Sequence, residues 1–350
     1  MREHPFFSVT VLAYQVAPYL EKCLDSILAQ SFQNFEILLV NPYSSDGTDA
    51  ICRKYADKYC CIRVLHIQNR GQLLNRIAGF QESRGTYLLT IDGDDWWEPV
   101  LLEKVYREVH NQEFDLVFWE AQLVRQGKKR QLSCAFSGRK IFEGEQKKLL
   151  YEKLISGKAF NEMWRKAMHR KLFAGIRRDF SDCDGIRKGE DLLYSLYVFS
   201  ESKRAVYLPL PLYNYRFRED SINHRFRQED LDDTAKVRFC VEEHMKMWGM
   251  TQEPYYRMFY RSAARYYADF ICNCCIAELP YSVKCQVFRK IRRDSFYRRS
   301  IGFRDWEEIT PQRRIFLLLF ETGNILPELY GRVFRKIKRR KEKCMQQKRQ

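Results

Sequence analysis

Residues 7–41 have the sequence FSVTVLAYQVAPYLEKCLDSILAQSFQNFEILLVN, and this stretch decides the fold class. Its two ends, Phe7–Tyr14 and Phe35–Asn41, are rich in β-branched and other apolar residues, which is typical of buried strands. Between them, Pro18–Gln30 repeats apolar pairs at helical spacing, and its proline suits a first helical turn. The stretch therefore predicts a strand, a helix and a second strand.

The same alternation continues to about residue 120. Ile62–Gln68, Tyr87–Asp92 and Asp115–Glu120 have the composition of strands, and helical patterns separate them. Strands that alternate with helices of about a dozen residues form right-handed βαβ units and a mostly parallel sheet. Such sheets bind ligands outside the carboxyl ends of their strands. The strand ends predicted here are Tyr14, Asn41, Gln68 and Asp92.

The rest of the chain has two further regions. Residues 122–187 are irregular and basic, and two strands, Ala205–Leu208 and Leu212–Arg218, are predicted on either side of two prolines. Beyond these strands the pattern becomes helical. The shift in composition predicts a first domain over residues 1–225 and a helical C-terminal region over residues 226–350.

The positive charge of the chain lies mainly in its last residues. The 350 residues contain 61 Lys and Arg against 45 Asp and Glu, which gives a net charge of +16. Residues 281–350 alone carry 20 basic and 7 acidic side chains, so the first 280 residues are close to neutral. A nucleic-acid-binding protein usually carries a basic face on its folded body. The distribution therefore predicts a basic C-terminal tail and no nucleic-acid partner.

Cysteine use and hydropathy predict a cytoplasmic location. The twelve cysteines follow an N-terminus without an apolar leader, which favours reduced thiols. Cys272 and Cys275 have C-x-x-C spacing, but no second pair follows at a zinc-binding distance. The longest apolar runs, such as Ile315–Phe320, are far shorter than the roughly 18 residues of a spanning helix. The sequence therefore predicts that the protein does not cross a membrane.

Three carboxylates follow directly on a predicted buried strand. The run Ile91–Trp97 (IDGDDWW) contains Asp92, Asp94 and Asp95, with a glycine after the first of them. Like charges this close together are costly unless a cation joins them. A hard divalent cation with a diphosphate on its far side is a natural partner for such oxygen ligands. The alternative is a solvated acidic turn or a helix cap ahead of Pro99.

Several motifs in the first 225 residues occur in a characteristic order. They are residues 8–52, residues 69–99, Asn161–Lys166, Gly189–Tyr194 and Pro211–Arg216. In this order they resemble the motifs of family 2 glycosyltransferases, of the type that acts in bacterial polysaccharide and glycan synthesis. The resemblance implies an α/β, Rossmann-like nucleotide-diphospho-sugar transferase (GT-A) fold with a mostly parallel sheet, followed by an α-helical C-terminal region. It also implies that residues 1–120 bind the nucleotide sugar and residues 121–225 bind the acceptor.

The resemblance implies a donor-binding set, with a UDP-sugar as the expected donor. Tyr14 matches the family's nucleobase loop, where an aromatic ring can stack on the base. Asn41 occupies the position of an aspartate that usually contacts uracil, and Arg76 matches an arginine that faces the diphosphate or ribose. The alternatives are a packing residue at a strand end for Tyr14 and a surface residue for Arg76. The full implied set is Ala13, Tyr14, Asn41, Arg76, Asp92, Gly93 and Asp94.

The resemblance also implies a metal ion and a general base. Asp94, assisted by Asp95, would hold Mn²⁺ or Mg²⁺ against the diphosphate, although Asp95 could instead cap the next turn. Asp191, with Glu190 beside it, lies in the family's acceptor-side motif and is the candidate catalytic base. The alternative for both acids is a favourable interaction with the N-terminus of a helix. A base on the side opposite the metal directs an in-line attack, which predicts inversion at the anomeric carbon.

The expected acceptor is a hydroxyl group of a glycan, including a lipid-linked glycan. Residues 286–299 and 329–341 mix apolar side chains with Arg and Lys. This pattern predicts basic amphipathic helices, which either lie peripherally on the inner face of the cell membrane or pack on the catalytic domain. We expect any peripheral attachment to involve residues 281–350.

Two other functions are compatible with the same fold. Asn41 and Pro42 depart from the family pattern, which favours a catalytically degenerate protein that serves as a binding or scaffold protein. Transfer to a polyprenyl phosphate is the nearest alternative among the transferases. Asp94 and Asp191 both match the family pattern and favour an active enzyme. A Rossmann dehydrogenase is excluded because no G-x-G-x-x-G motif follows the first strand.

Overall fold

The computed structural model of the chain describes residues 4–132, 135–218 and 226–347, with side chains described as far as residue 337. The chain divides into two compact units. The first unit comprises Met1–Leu154 and Lys158–Ser221, and the second comprises Ile155–Gly157 and Ile222–Gln350. The division falls close to the boundary predicted at residue 225.

The first part of the chain alternates strands and helices. The strands are β1 (Phe7–Leu12), β2 (Phe35–Asn41), β3 (Ile62–His66), β4 (Tyr87–Asp92), β5 (Trp96–Trp97), β6 (Leu116–Arg125), β7 (Lys128–Gln131), β8 (Lys140–Glu143), β9 (Lys166–His169) and β10 (Arg204–Arg216). The helices are α1 (Ala17–Leu28), α2 (Thr48–Lys58), α3 (Gln72–Glu82), α4 (Leu101–Val109), α5 (Lys148–Ile155), α6 (Arg170–Gly175) and α7 (Glu190–Glu201). These bounds confirm the alternation predicted up to residue 120.

The strands of the first unit form one sheet, in which the four longest strand pairings are parallel. The order along the sheet is β3-β2-β1-β4-β9-β6-β10-β5, and β7 and β8 pair with β6 and β10. β1 pairs in parallel with both β2 and β4, so Val9 lies opposite Ile37 on one side and Leu89 on the other. All three side chains are buried, as expected in the middle of a parallel sheet. The predicted α/β fold with a mostly parallel sheet is confirmed.

Two strands differ from the sequence prediction. β9 lies between β4 and β6, is antiparallel to both and begins with a lysine rather than with an apolar run. β10 is one continuous strand, where the sequence predicts two strands, Ala205–Leu208 and Leu212–Arg218. Its two prolines shift the register against β6 without ending the strand, because a missing N–H removes a ladder hydrogen bond but permits extended backbone. The prediction of two separate strands is therefore wrong.

The acidic turn after β4 is held close to the end of β1. The N–H of Gly93 donates to the carbonyl of Leu12 at 3.1 Å. A Cβ atom on Gly93 would lie 2.7 Å from that carbonyl oxygen and 2.9 Å from Val16 Cγ2. No side chain fits in this space, so only glycine permits the close approach. The N–H of Asp95 then donates to the carbonyl of Asp92 at 3.0 Å and closes the turn.

The second unit is helical, which confirms the predicted class of the C-terminal region. Its helices are α8 (Asp230–Met247), α9 (Tyr255–Ile276), α10 (Tyr281–Arg293), α11 (Ser295–Ile301), α12 (Pro311–Thr322) and α13 (Ile325–Gln347). α9 contacts the four helices that follow it, and it buries Ile271 and Cys275 in a core with Phe288 and Phe316. None of the helices in the described ranges is long and apolar enough to cross a bilayer.

We expect the substitution Gly93→Ala to destabilise the first unit. The added methyl group would overlap a backbone oxygen of β1, and overpacking of this kind costs about 1–3 kcal/mol of unfolding free energy. Gly138→Ala is the matched control, because a Cβ atom on Gly138 meets nothing within 4 Å. Urea denaturation of both variants measures the difference. Equal free energies of unfolding for the two variants would contradict the close packing of the turn.

Candidate active site

Two carboxylates from distant parts of the sequence meet on one arginine of α3. Arg76 Nη2 donates to Asp92 Oδ1 at 2.6 Å, and Arg76 Nη1 donates to Asp191 Oδ1 at 3.3 Å. Asp92 is the last residue of β4, and Asp191 lies in the first turn of α7. The structure therefore brings the predicted donor-side acid and the predicted base into one site.

The guanidinium group of Arg76 is almost completely buried, with 1% of the side chain exposed. Burial by itself lowers the pKa of Arg76, but the carboxylates of Asp92, Asp191 and Glu190 raise it, and the pKa increases overall. This burial excludes the alternative of a surface arginine. It indicates that Arg76 orients the carboxylates around it and neutralises part of their charge.

Burial also raises the pKa values of the two acids at the start of α7. The pKa of Asp191 is raised to about 6, mainly by burial and against the lowering effect of Arg76. Burial and the charge of Asp191 raise the pKa of Glu190 to about 8. A carboxylate with a pKa near 6 is mostly ionised at neutral pH, yet it binds a proton more strongly than an ordinary aspartate. These properties suit a general base.

Asp94 is paired with a second arginine, Arg218. Arg218 Nη1 donates to Asp94 Oδ2 at 2.9 Å, and Arg216 Nε donates to the backbone carbonyl of Asp94 at 2.6 Å. The side chain of Asp94 remains partly exposed, and burial raises its pKa. Arg218 was not identified from the sequence. The signal that could have found it is the alternation of aromatic and basic residues over 215–218, which places both arginines on one side of an extended chain.

Asp95 has a different environment from that of Asp94. Its side chain is buried, Oδ2 accepts a hydrogen bond from Tyr213 Oη at 2.7 Å, and Oδ1 accepts one from Arg216 N at 2.7 Å. Burial and the nearby charge of Asp94 raise the pKa of Asp95 well above its ordinary value. Both carboxylate oxygens of Asp95 already accept hydrogen bonds, so the arrangement favours a structural role, in which Asp95 anchors the acidic turn to β10.

A divalent cation at this turn would bind mainly through Asp94. In the described ranges, no three His, Cys, Asp or Glu side chains are grouped so that they could hold a metal ion. Mg²⁺ is often bound by one or two carboxylates together with the phosphates of a substrate. The partly exposed carboxylate of Asp94 fits that mode of binding, whereas a closed structural site would need about four protein ligands.

Asn41, the last residue of β2, orders the loop that follows this strand. Its Oδ1 atom accepts hydrogen bonds from Ser44 N at 3.0 Å and Ser44 Oγ at 2.9 Å, and its Nδ2 atom donates to Asp49 Oδ1 at 2.9 Å. Asp49 also pairs with His66, the last residue of β3, at 2.7 Å. These contacts use most of the hydrogen-bonding capacity of the Asn41 amide within the protein. Asp49 on α2 and His66 on β3 are polar groups beside this loop that were not identified from the sequence.

The other two predicted nucleobase residues follow β1. Ala13 is buried, and its N–H donates to the carbonyl of Val40 at 2.9 Å. Tyr14 is 42% exposed, so its ring is available for stacking on a flat ligand. The N–H of Gln15 donates to Ser44 Oγ at 3.2 Å, which joins this loop to the loop of Asn41. The structure therefore places Tyr14 and Asn41 at the ends of two adjacent strands.

A cavity of about 360 Å³ lies on the side of the acidic turn where the two arginines are found. Its lining includes Tyr19, Trp96, Arg216 and Arg218. The guanidinium carbon of Arg216 lies 4.9 Å from the ring centre of Tyr19 and 4.8 Å from that of Trp96, in cation–π contact with both. Lys22 Nζ lies 3.5 Å from the ring centre of Trp96. This concentration of positive charge suits an anionic group of a ligand.

Residues 8–173 match the family model described as Glycosyl transferase family 2. EpsH of Bacillus subtilis is 29% identical over 229 residues, which cover 65% of this chain and 65% of EpsH. The uncharacterized glycosyltransferase EpsJ of the same organism is 28% identical over 253 residues, which cover 71% of this chain and 73% of EpsJ. The chain thus spans slightly less than two thirds of the length of EpsH.

The fold is similar to that of S. aureus TarS. The crystal structure of TarS 1–349 has a TM-score of 0.61 and a sequence identity of 15%, and the match covers 95% of this chain and 91% of that chain. A likeness at this level of identity shows a shared fold and does not by itself show a shared substrate. The chain is therefore similar to the glycosyltransferases of family 2 over residues 8–173, and its fold is of the GT-A type.

Proposed function

We propose that this protein is an inverting glycosyltransferase that moves a hexosyl or N-acetylhexosaminyl group from a nucleoside-diphosphate sugar to a hydroxyl group of a glycan. The observation that carries the proposal is the contact of Arg76 with both Asp92 and Asp191. It combines a donor-side acid and a candidate base in one site. A carboxyl group with a raised pKa in such a site is typical of catalytic acids and bases.

In this proposal Asp191 activates the acceptor. A hydroxyl group is a poor nucleophile until its proton is removed, and a carboxylate within hydrogen-bond reach can remove the proton in the transition state. The contact of Arg76 with Asp191 Oδ1 fixes the orientation of the carboxylate. With a pKa raised to about 8, Glu190 is mostly protonated at neutral pH and does not compete as the base.

Cationic groups near Asp94 would stabilise the leaving diphosphate. Negative charge builds up on the diphosphate as the bond to the sugar breaks, and preorganised charges of opposite sign lower that barrier. Arg216 and Arg218 line the cavity beside the acidic turn and provide such charges. A Mn²⁺ or Mg²⁺ ion bound to Asp94 would supply Lewis-acid stabilisation of the same group. Asp92, on the donor side of Arg76, would accept hydrogen bonds from the ribose.

We propose a UDP-sugar as the donor. TarS, whose fold is similar, has been crystallised in complex with UDP and with UDP-GlcNAc. The exposed ring of Tyr14 offers a stacking surface for the base. Asp49 and His66 pair with each other beside Asn41. Their polar groups can accept hydrogen bonds from the edge of the base or donate hydrogen bonds to it.

We propose a glycan acceptor of bacterial polysaccharide synthesis, in particular a lipid-linked one. An acceptor of this kind is held at a membrane, so the proposed site of action is the inner face of the cell membrane, reached from the cytoplasm. The surplus of basic residues over 281–350 supports this location, because the cytoplasmic leaflet is anionic and attracts polybasic segments.

The roles of Asp94 and Asp191 predict different defects for two variants. We expect Asp94→Ala to weaken the binding of nucleotide sugar in the presence of Mn²⁺, because the metal then lacks its protein ligand. We expect Asp191→Asn to keep donor binding and to lower kcat by about 10²–10⁴, because the general base is lost. Calorimetric titration of UDP-sugars and a transfer assay measure the two effects. The exposed Asp57 provides the control Asp57→Asn, and an unchanged kcat for Asp191→Asn would refute the proposed base.

The raised pKa of Asp191 predicts a pH-dependent gain in stability for Asp191→Asn. Folding raises the pKa from 3.8 to about 6, so the stability that this carboxyl contributes is fully present below about pH 4 and is lost as the pH rises through 6. Asparagine resembles the neutral acid at every pH. A shift of about two pKa units corresponds to about 3 kcal/mol, so we expect the Tm of the variant to exceed that of the wild type by roughly 6–12 °C at pH 8. A gap of equal size at pH 4 would contradict this assignment.

The ion pair between Arg218 and Asp94 predicts competition with a divalent cation. A cation that binds Asp94 through Oδ2 must displace Arg218 from that oxygen. We expect Arg218→Gln to increase the affinity for Mn²⁺ in the absence of nucleotide by about twofold to fivefold, because an ion pair of this kind contributes about 0.2–1 kcal/mol. Electron paramagnetic resonance of free Mn²⁺ measures this affinity. Arg107→Gln on α4 is the control, and equal affinities for the two variants would exclude competition at Asp94.

A further inference from the structure

The helix α13 packs on the second unit through one of its sides. The rings of Tyr330 and Phe334 lie 5.0 and 6.2 Å from the ring of Phe316 on α12, measured between ring centres. A Cβ atom on Gly331 would overlap the backbone carbonyl of Cys275 on α9, so the two helices are in close contact. These contacts fix the rotation of α13 within its unit and determine which residues face solvent.

A neighbouring side of α13 exposes a row of large apolar residues. Ile325, Leu329, Val333 and Ile337 recur at every fourth position, and each is between 48% and 65% exposed. Side chains four residues apart lie next to one another along a helix, so these four form one continuous strip, which we call the α13 strip. Single exposed apolar residues are ordinary on a protein surface, but a contiguous group of them indicates a surface that binds something.

Basic residues accompany the α13 strip. Arg332 and Lys336 are exposed and lie between its members along the helix. Over residues 332–343 the sequence contains eight Lys and Arg and one acidic residue. A helix with an apolar strip and many basic residues is typical of helices that lie in the interface of an anionic membrane. A second copy of this chain is a poorer partner, because pairing two such strips would bring like charges together.

The other basic stretch of the C-terminal region does not form such a surface. Val287, Phe288 and Ile291 of α10 are buried in the core of the second unit. The amphipathic pattern over residues 286–299 therefore serves packing within the unit. This contrast narrows the candidate lipid-binding surface from residues 281–350 to α13.

We propose that the α13 strip docks this protein on anionic lipid, with Leu329, Val333 and Ile337 inserted among the acyl chains and Arg332 and Lys336 at the level of the headgroups. α13 would lie parallel to the membrane plane, because it is not apolar enough to cross a bilayer. This inference deepens the proposed function, since it would hold the catalytic domain at the surface that carries a lipid-linked acceptor.

Sedimentation of the full chain with lipid vesicles tests the inference. We expect binding to vesicles of phosphatidylcholine mixed with phosphatidylglycerol and much weaker binding to phosphatidylcholine alone. The variant Leu329→Gln/Val333→Gln/Ile337→Gln should bind the anionic vesicles at least about tenfold more weakly than the wild type does. The variant Arg332→Gln/Lys336→Gln should lose part of the binding and become less sensitive to salt.

A control variant separates the α13 strip from general surface hydrophobicity. Phe239 and Met247 on α8 are 57% and 68% exposed, so Phe239→Gln/Met247→Gln removes comparable apolar surface elsewhere in the same unit. We expect this control to bind vesicles as the wild type does. Circular dichroism melting of all variants confirms that they are folded. Wild-type binding by the triple variant, or equal losses in the triple and control variants, would overturn the inference.

Two further readouts distinguish other outcomes. A wild-type dimer in sedimentation velocity that disappears in the triple variant, without vesicle binding by the wild type, would mean that the strip binds a second copy. Hydrolysis of nucleotide sugars without vesicles should be equal in the wild type and the triple variant. Vesicle binding without any such hydrolysis by the wild type would refute the proposed function and leave the lipid-binding surface in place.

Discussion

The site depends on one buried positive charge, the guanidinium group of Arg76. It lies between a carboxylate at the end of a central strand and a carboxylate at the start of α7. Without this charge, Asp92 and Asp191 would repel each other in surroundings where little water screens them. The same contact fixes both carboxylates, so a single residue of α3 determines the geometry of the proposed donor side and of the proposed acceptor side.

The sheet supplies the framework for this contact. β1 pairs with β2 and β4, and the missing side chain of Gly93 allows the acidic turn to pack against the end of β1. β10 holds the other side of the turn through the contacts of Asp95 with Tyr213 and Arg216. The three neighbouring carboxylates therefore have different partners. Asp92 contacts Arg76, and Asp94 contacts Arg218. Both oxygens of Asp95 accept hydrogen bonds from β10.

Features with a local sequence signal could be predicted, and those that depend on distant pairing could not. The first four strands and the acidic turn follow from apolar periodicity and from the residues of the turn itself. The insertion of β9 between β4 and β6 depends on pairing with strands far away in the sequence, and its Lys166 gives no sign of a buried strand. The contact of Arg218 with Asp94 likewise requires the sheet to be assembled. The family resemblance predicts Asp191 as the candidate base. The position of Asp191 in the sequence, taken alone, also fits an acidic residue at the N-terminus of a helix.

The shared guanidinium group has a consequence for the order of events at the site. A ligand that draws Asp92 into hydrogen bonds of its own leaves more of the positive charge of Arg76 to Asp191. Proton affinity at Asp191 would then fall when that ligand binds, and by thermodynamic reciprocity deprotonation of Asp191 would alter the affinity for the ligand. In the proposed reaction, the donor and the acceptor would thereby be coupled through one side chain, and cooperativity between the two substrates would follow from this arrangement.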